Sequence, residues 1–229
     1  MADFNDIGIP RQLDWPRVRK LLTIGVFGAL LHLAGDLILG WGVEDESLTG
    51  LFRMLSAYTA TSDGGILASA LLGLSGMTLE GLSFFGVYRL MAERSPKDAH
   101  RYRSGILGYL IFGACGFHVP TCVLVFLGKQ GLPEETLAKF ALYFLLPATA
   151  LFWVFFLLLA VTQIAAFAKG YTPYPGWCWV FSPLVGGLAA QALGFLGTLP
   201  ALNAIACAWL AIGCLWMFGG LLCLCGKAR

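Results

Sequence analysis

Charge is what this 229-residue chain has least of, with 12% of its residues Asp, Glu, Lys or Arg. A soluble domain carries about twice that share. Hydrophobic residues make up 58%, and mean hydropathy is +0.77. So few charges cannot cover a globule in water, which excludes a soluble enzyme and a disordered chain. No basic run is interleaved with aromatics, so nucleic acid is excluded as a partner. No CxxC pair occurs among the seven cysteines, which run from Cys115 to Cys225 within or beside apolar stretches. They read as small packing residues rather than a disulfide or metal framework. Cys223-x-Cys225 is the closest pair and is too short a motif to assign an ion.

Long apolar runs, by contrast, are abundant. Six are of a length to cross a core of about 30 Å: 21–41, 65–90, 104–127, 137–168, 177–196 and 201–224. They lack the alternation of barrel strands, so the expected fold is all-α, a polytopic membrane bundle of six transmembrane helices. The fourth run is longer than a span needs, so tilting, a kink at Pro147 or a start outside the membrane is expected. The first run has a basic flank but no small-x-small cleavage site, and it reads as a retained helix.

The basic residues set an orientation. With the N-terminus inside, twelve of the 15 basic residues fall on the inner side, and Arg53, Lys129 and Lys139 fall outside. The outer segments instead collect Glu44, Asp45, Glu46, Asp63, Glu134 and Glu135. This positive-inside bias places both termini in the cytoplasm. Trp41 at the outer end of the first run, and Trp177 and Trp179 at the inner end of the fifth, suit headgroup depth. The chain reads as one transmembrane domain over 1–229. An amphipathic lead-in over 1–20 precedes the spans, and an outer loop at 42–64 contains the apolar stretch of a short surface helix. Ser62 and Asp63 read as a cap for the second span.

Ionisable residues inside a span are costly and mark function by default. There are four: His32 and Asp36 in the first run, Glu80 in the second and His118 in the third. His32 and Asp36 are i,i+4 neighbours and share a helix face. Counted at about 1.5 Å per residue, His32 and His118 reach the same depth, with Asp36 about a turn above and Glu80 about two turns below. Tyr143, Thr149, Gln191 and Asn203 fall in the outer half of the later spans, and Trp209 adds an aromatic wall. Tyr143, Gln191, Asn203 and Trp209 are therefore the expected substrate contacts.

Several chemistries suit such a column. His32–Asp36 and Glu80–His118 could be hydrogen-bonded pairs that lock the bundle. The four could instead serve as acid and base toward a small hydrophobic or lipid-like substrate, with Asp36 orienting His32 and Glu80 as the second acid/base group. Two imidazoles and two carboxylates could also hold a divalent metal such as Zn²⁺ or Fe²⁺. A proton or cation relay through them would make a small transporter, with Pro120 and Pro147 as kinks. A b-type haem held by His32 and His118 is the remaining option, with Gly28, Gly35, Gly113 and Gly116 giving room for the ring. Membrane lipids are the expected partners.

The stretch Leu31–Leu39, LHLAGDLIL, together with the six-span plan, resembles uncharacterised bacterial small integral membrane proteins. That resemblance implies a bacterial inner membrane and carries no activity and no site residues with it.

Overall fold

The computed structural model describes residues 13–197 and 199–226. Every regular element among the described residues is helical. In chain order they are α1 (Trp15–Leu39), α2 (Gly50–Ser56), α3 (Asp63–Ala92), α4 (Pro96–Lys129), α5 (Glu134–Ala168), α6 (Pro183–Gly194), α7 (Pro200–Cys207) and α8 (Trp209–Leu224). A 3-10 turn, Gly176–Val180, precedes α6.

Four helices, α1, α3, α4 and α5, are long and apolar enough to cross a membrane; α7 and α8 make a fifth if the pair is one span, bent by 65°. The last third thus departs from the expected straight spans. The run 177–196 yields only the 12-residue α6, about 18 Å of helix. Pro183 explains the late start, because proline opens a helix readily but cannot continue one. The run 201–224 breaks at Ala208 because its two ends are anchored in different directions. Asn203 is tied to the end of α1, while the Trp209 ring stacks on Trp153 at 5.1 Å. Of the 1–20 lead-in, residues 1–12 lie outside the described residues. From Trp15 onward the chain already belongs to α1, with Asp14 capping Arg17 N–H at 3.0 Å and Pro16 in the first turn.

The other helix ends follow local chemistry. Ser62 caps α3 through Gly65 N–H at 3.1 Å. Gly131 and Gly170 end α4 and α5 at φ of +75° and +71°. In each case the next residue's N–H returns five residues back, Leu132 to Leu127 and Tyr171 to Ala166. Phe27, Leu67, Ile111, Phe144, Val154 and Leu188 are each more than half exposed in mid-helix. An apolar belt of this kind suits lipid rather than water.

Three features position the site. First, α1 and α3 meet glycine to backbone: a Cβ at Gly35 would lie 2.9 Å from Ser69 O, and one at Gly28 2.9 Å from Gly76 O. Side chains between these two helices therefore need little reach. Second, α4 and α5 each contain a π-helical stretch, Tyr109–His118 and Ala141–Leu145. Pro120 and Pro147 follow directly. A proline ring collides with the carbonyl four residues back, and the wider winding relieves it. The expected kinks are thus wide turns. Third, α2 lies across one end of the bundle, with Leu51 N–H on Glu134 Oε1 at 3.2 Å, and Leu55 packs there against Gly128.

Candidate functional site

All four intramembrane ionisable residues converge. His32 is 2% exposed, Glu80 fully buried, and Asp36 and His118 nearly so. The His32 Nδ1 lies 3.2 Å from Glu80 Oε1 and 3.3 Å from Oε2. Its other nitrogen, Nε2, lies 3.3 Å from Asp36 Oδ2. His118 approaches Asp36 from the opposite side, Nδ1 to Oδ1 at 3.5 Å, and its Nε2 meets the Ser69 carbonyl at 3.0 Å. The two imidazoles stand edge to face with centroids 5.5 Å apart. The expected Glu80–His118 pair does not form: Glu80 is behind His32, and His118 shares Asp36 instead.

Backbone architecture makes this convergence. His32 and Asp36 follow one another on the face of α1 that Gly28 and Gly35 bring against α3. Gly73 of α3 leaves the space that the His118 ring fills, since a Cβ there would overlap it. The Tyr109 hydroxyl donates to Glu80 Oε2 and lies 3.9 Å from Cys214 Sγ. Tyr109 also packs on Phe84 at 5.1 Å and on Phe152 at 5.9 Å, so the polar run stands on an aromatic floor.

Tyr109 is the participant that sequence reasoning missed, and helical winding explains why. It is nine residues before His118, which in an α-helix is two and a half turns and the opposite face. The π winding from Tyr109 to His118 holds more than four residues per turn, so nine residues make about two turns and both side chains face inward. Ser69, Cys122 and Cys214 were also missed: Ser69 acts through its carbonyl, and the two cysteines look like packing residues in any one-dimensional reading. Cys122 Sγ lies 3.9 Å from His118 Nε2 and 3.8 Å from Ser69 Oγ.

The contacts constrain the protons. A carbonyl only accepts, so His118 Nε2 carries its hydrogen toward Ser69. Glu80 accepts from Tyr109 at Oε2 and from His32 Nδ1–H. The remaining nitrogens, His32 Nε2 and His118 Nδ1, both face the Asp36 carboxylate. Two lone pairs facing a carboxylate repel it unless a positive species, proton or ion, lies between them. Tyr58, between α2 and α3, approaches the same end, with Cys207 and Asp36 in its surroundings; burial holds its phenol well above the ordinary value, so it stays a donor.

The expected substrate contacts sit elsewhere. Tyr143 is 64% exposed on the outside of the bundle. Gln191 donates to Ala206 O at 2.8 Å, which serves the backbone beside the α7–α8 break. Asn203 donates to Gly40 O and Gly42 O at 3.1 and 2.7 Å, closing the end of α1. Trp209 is stacked between the α5 aromatics and Gly187. None of the four is brought to the His–Asp–Glu run.

One atom each of His32, Asp36 and His118 lie within 4.8 Å of one another, a group able to hold a metal ion. A haem between the two histidines does not fit. Gly28 and Gly35 are filled by α3 backbone, Gly113 by Met77 and Gly116 by Ala148, and Asp36 contacts both imidazoles where iron would bind.

Searches of curated proteins and of solved structures found no match. A family model described as a family of unknown function, DUF6796, matches residues 4–228, and the chain belongs to that family.

Proposed function

We propose that this is a multi-pass integral membrane protein that binds a small hydrophobic or lipid-like substrate and performs acid–base chemistry on it at His32, Asp36, Glu80 and His118. The observation that carries this reading is the continuous run Tyr109–Glu80–His32–Asp36–His118, buried inside three unbroken apolar helices. Charged groups at such depth cost several kcal/mol, by order of magnitude, and residues that carry that cost mark functional sites by default. In this arrangement Tyr109 and Glu80 fix the His32 ring through Nδ1, leaving Nε2 as the acid/base atom. Asp36 and His118 hold or release the second proton.

The chain crosses the membrane six times with both termini cytoplasmic. α6, extended by its flanking turns, makes the fifth crossing and the bent α7–α8 pair the sixth. This orientation puts Arg17, Arg89 and Arg103 at the inner surface. They rim an apolar groove of about 740 Å³ floored by Leu21, Leu79 and Phe85, suited to an anionic lipid.

The test is lipidomic. Protein isolated in native lipid discs should retain one hydrophobic small molecule that Glu80→Gln and His32→Gln lose, with folding intact. Identical small-molecule profiles in wild type and both variants would overturn the reading. A second reading, transport of a proton or cation, is favoured by the helix broken at Ala208, since discontinuous helices mark transporter sites. Proton flux into proteoliposomes that vanishes in Asp36→Asn would favour it.

A further inference from the structure

We infer that His32, Asp36 and His118 bind one divalent transition-metal ion of the Zn²⁺ or Fe²⁺ type. Glu80 and the Ser69 carbonyl orient the two imidazoles from behind. This goes beyond the proposed function: with an ion bound, His32 Nε2 would be a ligand and no longer an acid/base atom, so the inference does not rest on that role.

The first argument is spacing. Ligand atoms 2.0–2.2 Å from a tetrahedral ion lie roughly 3.4 Å from one another. Each imidazole already stands at that distance from one oxygen of the Asp36 carboxylate: His32 Nε2 to Oδ2 at 3.3 Å and His118 Nδ1 to Oδ1 at 3.5 Å. One ligand atom from each of the three residues lies within 4.8 Å of the other two, so the donor set is already gathered around one point. Two histidines and one carboxylate leave a fourth position open, as catalytic ions require.

The second argument is what stands behind each ligand. A metal-bound histidine donates its other N–H to a carboxylate or a backbone carbonyl, which fixes the coordinating nitrogen. Both forms occur here. His32 Nδ1 is on the Glu80 carboxylate, itself held by the Tyr109 hydroxyl, and His118 Nε2 is on the Ser69 carbonyl. Each imidazole is thus turned so that its free lone pair aims at Asp36. A bundle held only by ion pairs has no need of two such arrangements converging on one carboxylate.

The third argument is charge. Asp36 and Glu80 are the two acidic side chains buried among the described residues, and each contacts His32. One divalent ion with neutral imidazoles balances both carboxylates, and hydrocarbon tolerates a neutral cluster far better than a charged one.

The test loads the full-length protein, purified in detergent and stripped with chelator, with Co²⁺ as a spectroscopic probe, then with Zn²⁺ and, under anaerobic conditions, Fe²⁺. One Co²⁺ per chain should bind and give the intense visible bands of a four-coordinate site, displaced by Zn²⁺ and untouched by excess Mg²⁺. Asp36→Asn and His118→Gln should abolish the bands. Glu80→Gln, which acts through His32, should keep them while weakening affinity about 10–100-fold. Relative competition by Zn²⁺ and Fe²⁺ then separates the two ions. Should Asp36→Asn not fold, the wild-type spectrum and His118→Gln carry the decision. Wild-type protein that takes up no Co²⁺, or that binds it equally well in folded His118→Gln, overturns the metal site. A retained hydrophobic ligand without metal uptake would leave the proposed function standing, and metal uptake without any such ligand would remove only that function.

Discussion

The two halves of the molecule use polar residues in opposite ways. In the half built from α6, α7 and α8, polar side chains answer to backbone. Gln191 serves Ala206 O, Asn203 serves Gly40 and Gly42 O, and Trp216 serves Val180 O, while Gln163 reaches over from α5 to Phe181 O. Helices that break inside an apolar bundle strand their carbonyls, and a donor beside each break repairs the loss. In the half built from α1, α3 and α4, the helices have no break for a side chain to repair, and Asp14 and Ser62 serve only their caps. There His32, Asp36 and Glu80 meet one another and His118, which adds the Ser69 carbonyl, and no break in the backbone accounts for them. Polarity in the second half is explained by the fold; polarity in the first half calls for a function.

That contrast can be broken or sharpened by substitution. The largest effect belongs to the α1–α3 contact. Gly76→Val places a branched side chain 2.6 Å from Gly28 O, and the expected cost is about 3 kcal/mol or more. It should appear as loss of monodisperse protein in detergent. Gly219→Ala, with no atom within 4 Å of its Cβ, should leave unfolding unchanged. Next comes His32→Ala, which strands Asp36 and Glu80 and should cost about 3–5 kcal/mol in the denaturation midpoint. Adding Glu80→Gln should recover part of that loss, a coupling of about 1 kcal/mol or more. Strict additivity of the two substitutions would mean that the run is not one unit.

Smaller effects test the other half. Asn203→Leu leaves two carbonyls unanswered and should cost about 1–3 kcal/mol, with Co²⁺ uptake at the His–Asp site unaltered. A change in that uptake would show that the halves are coupled. Tyr143→Ala, on the exposed face of α5, should stay within about 0.5 kcal/mol of wild type in the same assay.

Much of this was legible in one dimension. Hydropathy located the four long helices, and counting depth from the span ends brought His32, Asp36, Glu80 and His118 together, because α1 and α3 are regular enough for such arithmetic. Pairing was not legible. Whether His118 meets Glu80 or Asp36 depends on which glycine admits its ring, and that is Gly73, a residue indistinguishable in sequence from its neighbours in a glycine-rich helix. The later polar residues misled for the converse reason. Gln191 and Asn203 look like site residues when α6, α7 and α8 are imagined straight, and only the breaks at Pro183 and Ala208 reveal their work on the backbone.

The wide winding between Tyr109 and His118 gives α4 two phases, one for each side of the stretch. Removing a single residue within it would rotate everything beyond by nearly a quarter turn and swing His118 away from its place against Gly73. Hydropathy, composition and span length would scarcely register the change. The integrity of the site is therefore kept by a count of residues as much as by their identity, and a relative in the family could retain all four ionisable side chains yet have lost their meeting.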